Sequence, residues 1–245
     1  ISICGVSAAI STGGAIRARP HVPVIVSSLV VIFAVLEVLI LPFVAQHFLS
    51  HEPLVAGAWL GLAVKTDGAA VASGAIAESL ILARNASEGV NYQAGWILAA
   101  TATVKVFIDI FIGIWAFVLA FIWTRHINPQ TQAQAKFGEI WQRFPKFILG
   151  YIITFLGVLA IALSLPAADF PRLKAAVGEA NNFRVIFFVL TFFSIGVVTN
   201  FRKLWQEGIG KLVAVYALCL LGFIIWVGLI ISWLFFHGVK PPLAS

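Results

Sequence analysis

Long, unbroken apolar segments dominate this chain and restrict its fold more than any other feature of the sequence. A bilayer-spanning helix needs about 20 consecutive, predominantly apolar residues, and several segments reach that length. Backbone groups in lipid must be paired within helices or a closed barrel, and a barrel needs alternating strands of about ten residues. The sequence therefore predicts an all-α, polytopic membrane protein with a single transmembrane domain over residues 1–245.

The composition excludes the other broad classes of protein. A soluble domain is about 45–50% apolar and about 25% charged, whereas this chain is 61% hydrophobic and 11% charged. The net charge of +6 arises from basic residues at the ends of apolar segments, where the positive-inside rule expects them. We therefore expect an integral protein of a bacterial-type inner membrane, with the lipid bilayer and not nucleic acid as its partner.

Seven apolar segments are predicted, and the first and third consist largely of Gly, Ala and Ser. The polar linker 126–146 is predicted to be cytoplasmic. If the third segment is re-entrant, one face holds nine of the Lys and Arg residues and the other five, which favours that arrangement. The segments are Ser2–Ile16, Val22–Phe48, Leu54–Leu82, Tyr92–Trp123, Phe147–Leu165, Phe183–Phe201 and Leu212–Phe236.

The two small-residue segments also resemble each other, since Gly5–Ile16 aligns without gaps with Lys65–Ile76. Shared composition explains this equally well. Alternatively, repeated glycine-interrupted segments mark the substrate site of a secondary transporter. Because small residues and a Lys/Asp pair make a continuous lipid-facing helix costly, we predict a break near Lys65–Gly68.

Four stretches carry a resemblance to a known family. They read SICGVSAAISTGGAIRA, GAWLGLAVKTDGAAVASGA, TATVK and SIGVVTNFRKLWQEG. The chain resembles a divergent member of the YeiH-like sulfate exporter family of membrane proteins. The resemblance implies a ten- or eleven-helix carrier, related in fold to cation/proton antiporters and bile-acid symporters. It also implies that several helices before Ile1 are missing.

The resemblance is weaker at the site than along the scaffold. The family's His-acid pair falls here on Lys65 and Thr66, and an acid follows at Asp67. The family's cation beyond the V-K of its next helix is replaced by Ile108, with Asp109 beside it. The resemblance implies sulfate or an organosulfonate as the substrate.

Five charged residues are predicted at membrane depth: Glu37, Lys65, Asp67, Lys105 and Asp109. Each charge at the bilayer centre costs about 2.5–3.5 kcal/mol on insertion scales, so each needs a partner or a water-filled cavity. One interpretation is a site where Lys65 counters an anion and Asp67 carries a proton or Na⁺. The other is structural ion pairing, since Lys105 and Asp109 are spaced i, i+4. Glu37 either faces the cavity as a proton carrier or pairs with Lys65 or Lys105.

The predicted function is secondary active transport of a small inorganic or organic anion by alternating access, coupled to H⁺ or Na⁺. A non-transporting structural subunit of a larger complex and a cation/proton antiporter remain alternatives, and a homodimer is left open. We predict no enzyme activity, cofactor or metal, because the sequence carries no motif for them. The predicted substrate- and ion-binding residues are Gly5, Ser7, Glu37, Lys65, Thr66, Asp67, Lys105 and Asn200.

Overall fold

A computed structural model of the protein describes residues 4–19, 21–123, 147–198 and 210–244. These residues fold as helices, joined by short connections, and the β-structure among them is an isolated bridge between Tyr92 and Leu243. The all-α prediction is confirmed. The first six helices are α1 (Gly5–Ala15), α2 (His21–Leu49), α3 (Pro53–Ala63), α4 (Asp67–Ser87), α5 (Trp96–Asp109) and α6 (Phe111–Ile122). The others are α7 (Phe147–Ser164), α8 (Phe170–Val198), α9 (Gly210–Cys219) and α10 (Ile225–Phe236).

Three stretches of helix are long and apolar enough to cross a membrane: Val22–Leu49, Trp96–Ile122 and Gly210–Phe236. Their mean hydropathies are 3.0, 2.3 and 2.6, and they expose many large apolar side chains, as lipid-facing helices do. The second comprises α5 and α6, which meet at Ile110, and the third comprises α9 and α10, joined by a π-helical turn at Leu220–Ile224. The chain is a multi-pass integral membrane protein.

The third apolar segment forms a helical hairpin. Helix α3 ends at Ala63 and α4 begins at Asp67, so the break falls where the sequence predicts it. The end of α4 returns to the level at which α3 starts, because the Asn85 side chain donates to the carbonyl oxygen of Ser50 at 2.9 Å. His51 and Glu88 also lie 3.7 Å apart across the same opening.

These contacts define two faces of the protein. The hairpin face carries the connection between α2 and α3, the connection between α4 and α5, and the end of α10, where His237 lies 3.2 Å from Glu52. The opposite face, here called the α1–α2 face, carries the connection from α1 to α2 at Ile16–Arg19. Helix α6 runs toward the α1–α2 face, since its Ala116 and Ala120 pack with Ala15 at the end of α1. The predicted cytoplasmic linker 126–146 lies outside the described residues.

Close helix packing places the hairpin against α5. A Cβ atom on Gly57 would lie 2.5 Å from the carbonyl oxygen of Ile97, and one on Gly61 would lie 2.6 Å from that of Thr101. The Thr101 hydroxyl donates to the carbonyl oxygen of Gly57 at 2.8 Å. Small residues let helix backbones approach this closely in membranes. The contact fixes the position of α5 along its axis relative to the break in the hairpin.

Two segment boundaries differ from those predicted by hydropathy. Helix α8 begins at Phe170, well before the predicted start at Phe183, because the stretch between them contains good helix formers that are not apolar. The segment predicted from Tyr92 begins as a helix only at Trp96, after Gly95 with φ +99°. A positive φ suits glycine and ends the preceding turn.

Candidate functional site

Two buried lysines surround the carbonyl groups at the end of α3. The Lys65 ammonium donates to the carbonyl oxygen of Leu62 at 3.3 Å, and the Lys105 ammonium donates to that of Val64 at 2.9 Å. Lys65 is 0% exposed and Lys105 is 1% exposed. The last carbonyls of a helix lack intrahelical partners and carry its negative dipole end, which cations stabilise. The lysines therefore stabilise a helix terminus that lies inside the protein.

Glu37, a residue of α2, binds the backbone at the break between α3 and α4. Its Oε2 accepts the backbone N–H of Lys65 at 2.8 Å. Its Oε1 is buried and has no hydrogen-bond partner among the described residues. The carboxylate therefore keeps one oxygen available next to the two lysines. Its direct hydrogen bond goes to the backbone of Lys65, and the lysine ammonium groups supply long-range attraction to it.

The beginning of α1 is attached to the same break. The Gly5 N–H donates to the carbonyl oxygen of Lys65 at 2.6 Å, and the Cys4 N–H donates to Oδ1 of Asp109 at 3.0 Å. A Cβ atom at Gly5 would lie 2.5 Å from Cγ1 of Val30, so only glycine fits here without a shift of α2. The first and third apolar segments thus meet at their non-helical ends.

Helix α4 begins beside these groups. Thr66 is its N-cap, and its hydroxyl oxygen accepts the Ala69 N–H at 3.3 Å. Asp67 is the first residue of the helix, and its side chain lies within hydrogen-bonding reach of Asp109. Its Oδ1 is buried without a hydrogen-bond partner in the part of the chain that the structure describes. A negative charge in the first helical turn complements the positive dipole end.

The charges of the cluster therefore match the helix ends that converge on it. Carboxyl groups lie at the beginnings of α1 and α4, and ammonium groups lie at the end of α3. This complementarity accounts for how five ionisable side chains are tolerated at this depth. It also leaves unpartnered acceptors on Glu37 and Asp67 and further N–H donors on the lysines, each of which carries three. Such a cluster can bind an ion of either sign.

The structure brings together most of the residues predicted from sequence. Glu37, Lys65, Asp67 and Lys105 converge on the break, and the Gly5 backbone approaches from the first segment as predicted. Ser7 lies in the first turn of α1, within reach of the Cys4 thiol. Thr66 serves as a helix cap. Asn200 lies outside the described residues.

Three contributors were not among the predicted site residues: Cys4, Asp109 and Tyr216. The sequence spacing makes Asp109 an i, i+4 neighbour of Lys105, yet each of the two bonds the backbone of another segment. Tyr216 lies on α9, and its hydroxyl interacts electrostatically with Glu37. The signal available in the sequence was the position of Asp109 one turn after Lys105. The contact with Cys4 joins residues 105 positions apart, which no local spacing indicates.

Comparison with known proteins decides the family. The sequence profile of conserved hypothetical protein 698 matches residues 1–215. The chain belongs to this family. This confirms the resemblance found from the four sequence stretches, since family relatives are named UPF0324 membrane proteins.

Individual relatives come from bacteria and archaea. The chain is 46% identical to a UPF0324 membrane protein of Nitrosomonas europaea, over 99% of this chain and 50% of that protein. It is 48% identical to an uncharacterized protein of Archaeoglobus fulgidus, over 59% of this chain and 88% of that protein. A UPF0324 membrane protein of Nitratidesulfovibrio vulgaris is 28% identical, over 100% of this chain and 40% of that protein. The chain thus spans half or less of the length of both UPF0324 proteins. No solved structure matches the chain.

Proposed function

We propose that the protein is a secondary active transporter that moves a small anion of the sulfate or organosulfonate type across a bacterial-type inner membrane, coupled to protons or Na⁺. The observation that supports this most is the buried cluster at the break between α3 and α4. Two lysines and three carboxyl groups converge there on the ends of three helices. Broken helices near the middle of the membrane are the usual position of substrate sites in such carriers.

The lysines supply the attraction for an anion. Lys65 holds one carbonyl oxygen at 3.3 Å, a long hydrogen bond, and an ammonium group has three donors. A doubly charged oxyanion needs several donors once its water is removed, and charge-assisted hydrogen bonds are the strongest of these. Lys65 and Lys105 together offer such donors at the Val64–Thr66 break.

The carboxyl groups supply the coupling. Asp67 and Asp109 lie within hydrogen-bonding reach, and two carboxyl groups can share a hydrogen bond only when a proton lies between them. With three ionised acids and two ammonium groups the cluster carries one net negative charge, and one shared proton makes it neutral. An anion therefore binds better to the protonated cluster, and this linkage couples the two movements.

The two alternative functions explain less of the cluster. A cation/proton antiporter needs carboxylates but not two ammonium groups buried beside them. A structural subunit gains nothing from the unpartnered oxygens of Glu37 and Asp67, because an unsatisfied buried acceptor destabilises the fold.

Uptake of radiolabelled sulfate and of a short alkyl sulfonate into proteoliposomes, with and without a pH gradient, tests the proposal. Lys65→Ala is expected to abolish uptake, whereas Lys174→Ala, which removes an exposed lysine of α8, is expected to leave it unchanged. Gel-filtration elution in detergent shows whether each variant folds. Equal uptake by folded Lys65→Ala and Lys174→Ala vesicles, or no uptake above protein-free vesicles by the unmodified protein, refutes the proposal.

A further inference from the structure

A groove between α1 and α2 leads from the α1–α2 face toward the charged cluster. It has a volume of about 230 Å³. Its lining begins at Ile16 and Ala18 on the face and reaches Gly5, the residue bonded to the Lys65 carbonyl. Ile16 lies eleven positions after Gly5 along α1, so the groove is roughly 16 Å long at about 1.5 Å of rise per residue. It therefore covers about half of a bilayer core of ≈ 30 Å.

The wall that α1 contributes is made of small side chains. Ala8, Ala9, Thr12 and Gly13 all line the groove. The neighbouring residue Ile10 points elsewhere and is 57% exposed. Ile10 therefore does not obstruct the groove.

The inner end of the groove holds a tyrosine whose ring packs against Phe33 of α2, with 4.6 Å between the ring centroids. Tyr216 of α9 lines the groove and is 4% exposed, and its hydroxyl has no hydrogen-bond partner among the described residues. The same hydroxyl interacts electrostatically with Glu37, whose Oε1 is also buried without a partner. Buried polar groups are normally satisfied, so the unsatisfied Tyr216 hydroxyl in the wall of the groove indicates a place for water or a ligand.

The outer end of the groove is basic. Arg17 and Arg19 are exposed and alternate along the chain with Ile16 and Ala18, which line the opening. A cleft bounded by one sign of charge concentrates ions of the opposite sign. The opening therefore favours anions over cations.

We infer that this groove is the aqueous route by which a small anion passes between the α1–α2 face and the cluster at Lys65, with Tyr216 at its inner end. The inference rests on the proposed function for the identity of the solute. The route itself is a separate property, because access of small ions to the groove does not require transport.

Cysteine modification in proteoliposomes tests the route. The background carries Cys4→Ala and Cys219→Ala, which removes both native thiols and keeps the backbone N–H of residue 4. Ala9→Cys places a thiol in the groove, and Ile10→Cys places one on the exposed side of the same helix. The probes are two methanethiosulfonates, an anionic sulfonatoethyl reagent and a cationic trimethylammonium-ethyl reagent, added from each side.

The anionic reagent is expected to modify Ala9→Cys at least about tenfold faster than Ile10→Cys, from the α1–α2 face only, since field-focusing clefts raise association rates by 10-fold or more. It is also expected to react faster than the cationic reagent, and Arg17→Gln with Arg19→Gln is expected to remove that preference. Equal rates at the two positions, which a lipid-filled groove produces, overturn the inference, as does a preference for the cationic reagent. Rapid modification of Ala9→Cys in vesicles that take up neither sulfate nor the sulfonate supports the route and refutes only the proposed function.

Discussion

The backbone N–H of Gly5 donates to the carbonyl oxygen of Lys65 across 2.6 Å, which joins the first residue of α1 to the break in the α3–α4 hairpin. Because Gly5 has no side chain, α1 also approaches α2 closely at this point. A Cβ atom there would lie 2.5 Å from Cγ1 of Val30 and 3.4 Å from the Lys65 oxygen. The contact attaches the beginning of α1 to the segment that carries Lys65.

Gly5→Ala is therefore expected to destabilise the fold, by about 1–3 kcal/mol as overpacking of a closed contact does. Gly14→Ala is the matched control, because Gly14 belongs to the same helix and has nothing within 4 Å of its Cβ position. Thermal unfolding in detergent measures both variants. A midpoint for Gly5→Ala equal to that of Gly14→Ala contradicts the close approach.

Lys105→Met is expected to destabilise the protein through the end of α3. The methionine keeps the length of the side chain but leaves the Val64 carbonyl oxygen without its 2.9 Å donor. A buried acceptor without a partner costs about 1–3 kcal/mol. Lys174→Met, an exposed lysine of α8, serves as the control, and the melting temperatures of the two variants are compared. Unchanged melting of both variants shows that Lys105 does not stabilise this helix end.

Glu78→Ala is expected to loosen the beginning of α5. The Glu78 carboxylate accepts the N–H groups of Gly95, Ile97 and Leu98 at 2.9–3.1 Å. Loss of a helix N-cap costs about 0.5–2 kcal/mol. Hydrogen exchange of the Ile97 and Leu98 amides is expected to accelerate, while Glu179→Ala, an exposed acid of α8, leaves it unchanged. Equal exchange in both variants argues against capping by Glu78.

A re-entrant arrangement of the α3–α4 hairpin predicts which positions share a side of the membrane. Cysteines at His51 and Ser87 are expected to react with an impermeant maleimide from the same side, and a cysteine at Ala18 from the opposite side. The measurement is labelling of oriented vesicles before and after permeabilisation. Labelling of His51 and Ser87 from opposite sides identifies α3 and α4 as a simple span. The cytoplasmic location of linker 126–146 stays a prediction, which a cysteine at Gln132 tests in the same vesicles.

The sequence predicts the helical architecture and the break because both depend on local composition. Apolar length identifies the spans, and the small residues around Lys65–Gly68 identify the interruption. The partners of the charged residues are not local properties. Lys105 bonds a carbonyl oxygen 41 positions away, and Asp109 bonds an N–H group 105 positions away. Those pairings depend on how closely α1, α3 and α5 approach one another, which residue spacing does not encode.

Asp67→Asn is expected to separate anion binding from proton coupling. The amide keeps the size of the side chain and can still donate a hydrogen bond to Asp109, so it imitates the protonated acid without titrating. Since the protonated cluster is electrically neutral and the ionised one carries one negative charge, sulfate uptake by the unmodified protein is expected to rise as the pH on the binding side falls. In Asp67→Asn, uptake is expected to stay at its low-pH level as the pH rises, so its dependence on pH flattens. Asp169→Asn, which changes a carboxylate beside Arg172 outside the cluster, is expected to keep the full pH dependence.

Uptake measured in proteoliposomes from pH 5 to 8 decides between these outcomes. A pH profile that is unchanged in Asp67→Asn assigns the coupling to another acid of the cluster, and Glu37→Gln is then the variant that should flatten it.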